Sequence, residues 1–188
     1  MAKKWKKNRW KNKQVQIVKV IKPYCFLSYS SKEPHIKTLI PCVWLAFAPH
    51  YDLKLTPTGL ASGAGQLKQI MNLAEGCAFA VVALDGLRPN VVFEYGLLEA
   101  LHRPVILLKE KDATVDVRSY FSDAASLGVQ SPKLQMDSHF SNVKDLTYTE
   151  WDREKPDELV KILWQEYRKK EDKIDPFVAI EDAHLWST

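Results

Sequence analysis

The chain has 188 residues with a hydrophobic fraction of 46%, which is enough for one domain with a sizeable core. It holds no apolar run of about 18 residues, and no long apolar segment follows its basic N-terminus, so we expect neither a membrane span nor a secretory signal. The three cysteines lack metal-like spacing, which favours buried free thiols in a reducing, cytoplasmic compartment.

The net charge of +4 conceals an uneven distribution. Residues 1–13 hold seven basic residues and no acid, whereas the remaining 20 basic residues face 23 acids, so the body carries a net −3. The basic arm also contains Trp5 and Trp10, and this combination would suit weak contacts with nucleic-acid phosphates and bases. A tail that docks on the body or on a partner protein is the alternative that we favour. We divide the chain into this arm, an α/β domain at 14–172 and a tail or linker at 173–188.

The first predicted strand ends in a polar loop. An apolar segment at residues 24–27 leads directly into Ser28, Tyr29 and Ser30. Hydroxyls and backbone N–H groups at the carboxyl end of a strand can hold phosphate or ribose oxygens. These three residues are therefore candidates for substrate binding, and a plain strand followed by a serine-stabilised turn is the alternative.

The next part of the chain is harder to assign. A short helix is predicted at 33–40 and is ended by the following proline, while the apolar run 42–48 is ambiguous between strand and helix. Residues 53–55 predict a short strand. The stretch 56–65 contains three glycines but lacks the Gly-Lys-Ser/Thr ending of a P-loop, and helical spacing returns at 66–75.

A strand–helix–strand unit dominates the middle of the sequence. Residues 78–84 form an apolar run that ends in Asp85, which is typical of a strand buried on both faces of a parallel sheet. The pattern predicts a helix over 91–102 with Asn90 as its N-cap, and then a second apolar strand at 105–108. Two buried strands joined by a helix indicate a right-handed βαβ unit.

Glu94 lies among apolar residues in the predicted first turn of this helix. That position is near the carboxyl end of the preceding strand, where open α/β sheets place their ligands. A carboxylate there can serve as a nucleophile, a base or a ribose clamp, and a first-turn acid favoured by the helix dipole is the alternative. Gly96 costs a helix about 1 kcal/mol relative to alanine, which predicts a close approach by another group at that point.

The remaining pattern completes an α/β domain. Residues 117–127 predict a helix, residues 142–148 a last, partly exposed strand, and Pro156 the start of a final helix. We expect a flavodoxin-like three-layer α/β/α sandwich with a mostly parallel sheet of about five strands. The five histidines show no metal spacing, so we expect no metal site.

Two segments resemble known families. Phe26-Leu-Ser28-Tyr29-Ser30 resembles the opening strand of TIR domains. Asn90-Val-Val-Phe-Glu94-Tyr-Gly96, followed by Arg103-Pro104-Val-Ile, resembles the signature of TIR-like and nucleoside 2-deoxyribosyltransferase-like nucleotide-binding domains. The resemblance implies that Glu94 is the catalytic glutamate. It also implies that Asp85 and Asn90 lie beside the ribose, with Tyr95 as a further substrate-binding candidate.

The function implied by this resemblance is cleavage of the N-glycosidic bond of a nucleotide. The nicotinamide of NAD is already cationic and leaves without a general acid, whereas the base of an ordinary nucleoside needs a proton, and the sequence offers no clear acid for that step. This difference favours NAD hydrolysis, with NAD as substrate rather than cofactor, and a role as an antiviral defence or signalling effector. Deoxyribosyl transfer on nucleosides or nucleoside monophosphates is one alternative. A non-catalytic nucleotide-binding or assembly module, acting as a homo-oligomer or docked on a partner protein, is another.

Overall fold

A computed structural model describes residues 22–31, 35–56, 64–116, 133–135 and 147–174. Its strands are β1 (Tyr24–Ser28), β2 (Asp52–Leu55), β3 (Phe79–Ala83), β4 (Val105–Glu110), β5 (Thr114–Asp116), β6 (Lys133–Gln135) and β7 (Thr149–Trp151). Five of them form one parallel sheet in the order β2-β1-β3-β4-β7, and β5 and β6 form a separate antiparallel pair. This is the strand order of flavodoxin-like proteins, so the predicted fold class is confirmed.

Helices cover both faces of the sheet. They are α1 (Ile36–Phe47), α2 (Ala64–Gly76), α3 (Pro89–Ala100) and α4 (Pro156–Arg168), with short 3₁₀ helices at Asp85–Leu87 and Glu171–Lys173. Helices α1 and α4 pack together on one face, and α2 and α3 pack together on the other. Alternate residues of β3 pack in the two cores on either side of the sheet, because successive side chains of a strand point to opposite faces. No helix in these described segments is long and apolar enough to cross a bilayer.

Helix α1 continues through Pro41, where the sequence predicted its end. A proline inside a helix removes one backbone hydrogen bond and costs about 3 kcal/mol. The same helix buries Leu39, Val43 and Phe47 against the sheet, and each such side chain contributes about 1.5–3 kcal/mol. Packing therefore outweighs the local penalty, and the ambiguous run 42–48 is largely the second half of this helix.

The later elements agree with the sequence only in part. Helix α4 begins at Pro156 as predicted, and it buries Leu159, Leu163 and Tyr167. Strand β7 is Thr149–Trp151 and contains the fully buried Trp151, whereas residues 142–146 of the predicted strand 142–148 lie outside the described residues. The predicted helix at 117–127, the basic arm 1–13 and residues 175–188 lie outside the described residues.

Two helical glycines have opposite surroundings. A methyl group at Gly76 would lie 2.7 Å from the hydroxyl oxygen of Tyr24, which donates a hydrogen bond to the carbonyl of Leu73 at 3.0 Å. A methyl group at the exposed Gly96 would meet nothing within 4 Å among the described residues. The close approach predicted at Gly96 is therefore wrong, and the helical glycine that does admit a neighbouring group is Gly76, at the end of α2.

The three cysteines are free and buried, as predicted. Cys25 and Cys42 lie in the core between the sheet and helices α1 and α4, and Cys77 lies in the core under α2 and α3. Burial raises the pKa of Cys25 well above its ordinary value and raises the pKa of Cys77 to about 12. These thiols therefore stay protonated at neutral pH.

Candidate active site

Glu94 reaches the carboxyl end of β1 from helix α3. The helix begins at Pro89, a residue favoured at this position, so Glu94 lies in the second turn rather than the predicted first turn. Its buried residues are Val91, Glu94 and Leu98, which share one face of the helix by their spacing. The face that fixes α3 to the core therefore also carries Glu94 inward, and only 1% of this residue is exposed.

Two hydroxyls hold the Glu94 carboxylate through a single oxygen. Ser28 Oγ donates to Oε2 at 2.5 Å, and Thr56 Oγ1 donates to the same atom at 2.9 Å. Ser28 is the last residue of β1, and Thr56 directly follows β2. Because neighbouring parallel strands end at the same edge of the sheet, these hydroxyls lie side by side.

The other oxygen of Glu94, Oε1, is buried and has no hydrogen-bond partner within the described part of the chain. Leaving a buried acceptor unsatisfied costs about 1–3 kcal/mol, so such atoms are rare and frequently functional. Burial raises the pKa of Glu94 above its ordinary value of 4.5, although the hydroxyls of Ser28 and Thr56 act in the opposite direction. The site thus contains a carboxyl group held through one oxygen, while its other oxygen is buried and unpartnered among the described residues.

Asp85 forms a second cluster, on the β4 side of the same edge. Its Oδ2 lies 2.7 Å from His35 Nε2, and its Oδ1 accepts a hydrogen bond from the Glu110 N–H at 2.6 Å. Both side chains of the His35–Asp85 pair are almost fully buried. The His35 ring also packs edge-on against Trp151, with centroids 5.5 Å apart. Asp85 thereby ties the start of α1 to the end of β4.

Glu110 extends this second cluster toward solvent. Its Oε1 accepts a hydrogen bond from Arg153 Nε at 2.8 Å, and its Oε2 accepts one from the Asp112 N–H at 3.1 Å. Glu110 also raises the pKa of Arg153 through this hydrogen bond. Every carboxylate oxygen of Asp85 and Glu110 therefore has a donor, in contrast to Glu94. Among the described residues, no three or more His, Cys, Asp or Glu side chains are grouped so that they could hold a metal ion.

The structure brings together only some of the predicted site residues. Ser28 contacts Glu94 directly, and the buried Tyr29 and Ser30 follow it at the carboxyl end of β1. Asp85 contacts His35 and the backbone of Glu110, and none of its recorded hydrogen bonds goes to Glu94. Asp85 and Glu94 thus belong to two separate carboxylate clusters at one edge of the sheet, and the placement of Asp85 beside a ribose stays a prediction.

Two further predicted residues lie on α3 itself. Asn90 is exposed and is the second residue of the helix, so it is not the predicted N-cap, a position that Arg88 occupies. Tyr95 is half-buried, and its hydroxyl is hydrogen-bonded to Glu99 one turn further along. Burial and this bond raise the pKa of Tyr95 to about 12. Contact of these residues with a substrate stays a prediction.

Sequence reasoning missed Thr56 and His35. Thr56 follows a predicted strand, so the rule that selected Ser28 would also have selected it, but it was assigned to the glycine-containing loop. His35 lies 50 positions before Asp85, and nothing in the local pattern connects them. The pairing becomes visible only when the parallel sheet places the start of α1 beside the ends of β3 and β4.

Comparisons with known proteins add a distant structural likeness. No protein-family model and no curated protein matches the sequence. Among solved structures, the chain is similar to the TIR domains in the structure of the activated Roq1 resistosome directly recognizing the pathogen effector XopQ. The two share 14% sequence identity with a TM-score of 0.39, over 87% of this chain and 98% of that one. So distant a likeness carries no argument about activity, and the fold assignment rests on the sheet order.

Proposed function

We propose that the protein cleaves the N-glycosidic bond of a nucleotide, with NAD as the leading substrate and Glu94 as the catalytic glutamate. The observation that supports this proposal is the Glu94 carboxyl group, which is buried and held through Oε2 while Oε1 has no partner among the residues that the structure describes. A carboxylate with a purely structural role is expected to have donors on both oxygens, as Asp85 does. A free oxygen in a dry site at this edge of the sheet suits catalysis.

The proposed reaction uses the negative charge of Glu94. As the bond between C1′ and the nicotinamide nitrogen breaks, the bonding electron pair leaves with that nitrogen and C1′ becomes oxocarbenium-like. Glu94 stabilises this centre or bonds to it, and a water molecule then gives its oxygen to C1′ and loses a proton. The products are nicotinamide and ADP-ribose. A preorganised charge of this kind is worth about 3–4 kcal/mol in the transition state.

The leaving group explains why NAD is preferred over an ordinary nucleoside. Its ring nitrogen is cationic in the substrate and becomes neutral on departure, so no general acid is required. Glu94 must itself be ionised to act, and the hydroxyls of Ser28 and Thr56 favour that form against the effect of burial. The TIR-like resemblance of residues 26–30 and 90–96 supports the same substrate.

A non-catalytic assembly module is the alternative function. It is supported by apolar side chains that α1 and α3 expose to solvent, where Trp44 is 58%, Leu45 62% and Phe93 50% exposed. Such side chains are more typical of an interaction surface than of a free helix face. A role in defence or signalling, through oligomers or a partner protein, is compatible with either function.

The deciding experiment measures nicotinamide release from NAD by the purified full chain. Glu94→Gln and Glu94→Ala should lower the rate about 10²–10³-fold, because they remove the charge opposite C1′. Glu154→Gln is the matched control, since Glu154 is an exposed acid in the turn before α4 and should be neutral. Equal release by all proteins would mean that Glu94 is not catalytic.

A second arm of the experiment tests the other chemistry. A deoxyribonucleoside is incubated with a free purine base, and exchange of the base is followed by chromatography. Exchange that depends on Glu94, without nicotinamide release, would replace NAD cleavage by deoxyribosyl transfer. Silence in both arms, together with concentration-dependent self-association, would favour the assembly module.

A further inference from the structure

We infer that Thr56 is a positioning residue for Glu94: together with Ser28 it fixes the plane of the carboxyl group, so that the opposite oxygen faces the reacting carbon. This inference rests on the proposed function for its catalytic part. Its structural part, the control of the Glu94 carboxyl group, stands on the hydrogen bonds alone. Thr56 is not itself expected to touch the substrate.

The backbone of Thr56 is anchored independently of its side chain. Its N–H donates to the carbonyl of Leu27 at 3.1 Å, which extends the pairing of β1 and β2 by one residue. Thr56 is only 6% exposed. The hydroxyl is therefore presented from a fixed point of the sheet edge, and a β-branched side chain has few rotamers with which to turn away.

The hydroxyl proton of Thr56 has two acceptors within reach. The Glu94 Oε2 lies 2.9 Å away and the Leu27 carbonyl oxygen 3.3 Å away. One hydroxyl supplies one proton, and the shorter distance and the charge of the acceptor favour Glu94. Ser28 approaches the same oxygen at 2.5 Å from the neighbouring strand. Two donors from two strands hold the carboxyl plane, whereas one donor alone would let it rotate.

The same two donors control the ionisation of Glu94. The hydroxyls of Ser28, at the end of β1, and Thr56, after β2, are the groups that lower its pKa, and desolvation is the opposing cause. No charged side chain of the described residues enters this balance. On the β3 side of the edge, Asp85 is paired with His35. Loss of the Thr56 hydroxyl should therefore raise the pKa of Glu94 further.

The test compares Thr56→Val, which keeps the shape and removes the hydroxyl, with Thr56→Ser, which keeps the hydroxyl. Thr149→Val, in strand β7, is the matched control. The first measurement is a carbon-13 NMR titration of the Glu94 carboxyl in the full chain without substrate, assigned with Glu94→Gln. We expect the pKa of Glu94 to rise in Thr56→Val and to return toward the wild-type value in Thr56→Ser.

The second measurement is nicotinamide release across pH. Thr56→Val should lower kcat about 10²-fold with little change in KM, because the carboxyl group is misplaced rather than removed. Its acidic limb should move to higher pH, and Thr56→Ser should restore both properties. If Thr56→Val fails to fold, Thr56→Ala takes its place in both measurements.

The outcomes separate this inference from the proposed function. An unchanged Glu94 pKa in Thr56→Val, with an active wild type, would overturn the positioning role and leave NAD cleavage standing. A raised pKa that Thr56→Ser reverses would support the positioning of Glu94 even if no protein released nicotinamide, in which case the proposed reaction alone fails.

Discussion

Asp85 and Glu94 are two buried carboxyl groups at one edge of one sheet, and the protein surrounds them in opposite ways. Each residue is 1% exposed. Asp85 has a donor on each oxygen, one of them a histidine, and so contributes to holding α1 in place. Glu94 has two hydroxyls on one oxygen and no partner on the other within the described residues. Burial alone therefore does not distinguish the two acids, whereas the unfilled acceptor of Glu94 does, and the proposed catalytic role rests on that difference.

The largest effect on stability is expected from Asp85→Ala. His35 and the Glu110 N–H would both lose their acceptor in the interior, and two buried donors left unsatisfied together cost about 2–6 kcal/mol. The free energy of unfolding, measured in urea, should fall by that amount. Asp112→Ala, which removes an exposed carboxylate next to the same cluster, should change it by less than about 0.5 kcal/mol.

A stable but inactive Asp85→Ala protein would give Asp85 a different role from the structural one that its hydrogen bonds indicate. If Asp85→Ala stayed within about 1 kcal/mol of wild type but lost nicotinamide release, Asp85 would be a substrate contact, as the sequence suggested. The His35–Asp85 hydrogen bond would then be an accessory to binding rather than a structural tie.

A smaller effect is expected from Glu94→Gln, and it depends on pH. The pKa of Glu94 is raised above 4.5 in the folded state, so the folded protein holds this proton more tightly than the unfolded chain does. Below pH 4.5 the Glu94 carboxyl group is protonated in both states, so, like glutamine, it places no charge in the interior. As pH rises through the raised pKa, ionisation of the buried carboxyl group lowers the free energy of unfolding of the wild type relative to Glu94→Gln. The cost is about 1.4 kcal/mol for each pKa unit of the shift.

The measurement is the difference in unfolding free energy between Glu94→Gln and wild type across pH. We expect the variant to become relatively more stable as pH rises, and to reach a plateau above the folded-state pKa of Glu94. A difference that moved in the other direction would show that the hydroxyls of Ser28 and Thr56 outweigh burial. Glu94 would then resemble Asp85, as an acid fully stabilised by its partners.

The smallest effect on stability is expected from a substitution at Gly96. Gly96→Ala should stabilise the protein by about 0.5–1 kcal/mol, because the position is helical, exposed and open. Gly76→Ala is the contrasting variant and should lower the melting temperature, because the new methyl group would meet the Tyr24 hydroxyl. A stabilised Gly96→Ala protein without nicotinamide release would indicate that a ligand uses the open space at Gly96.

The sequence was most informative where local and global signals agree. Strands β3 and β4 are continuous apolar runs, and the segment between them has a proline suited to a helix start, so this unit and the inward position of Glu94 were predictable. Helix α1 was not, because Pro41 disfavours a helix locally while the buried face of α1 decides in its favour.

The residues of the candidate site show the same contrast between local signals and contacts that depend on the fold. Ser28 was predictable as a hydroxyl at the end of a strand, and Thr56 follows from the same rule. The hydrogen-bond partners of Asp85 were not, because a carboxylate after a buried strand has the same pattern whether it meets a sugar or a histidine. Its partners come from positions 35 and 110, which only the folded sheet brings together.

The distribution of the cysteines gives each layer of the sandwich its own chemical reporter. Cys25 and Cys42 belong to the core beneath α1 and α4, and Cys77 belongs to the core beneath α2 and α3. A protonated thiol inside a packed core does not react with an alkylating reagent until its surroundings open. The order in which the three thiols are alkylated, followed by mass spectrometry, therefore gives the order in which the two cores open, without an engineered probe.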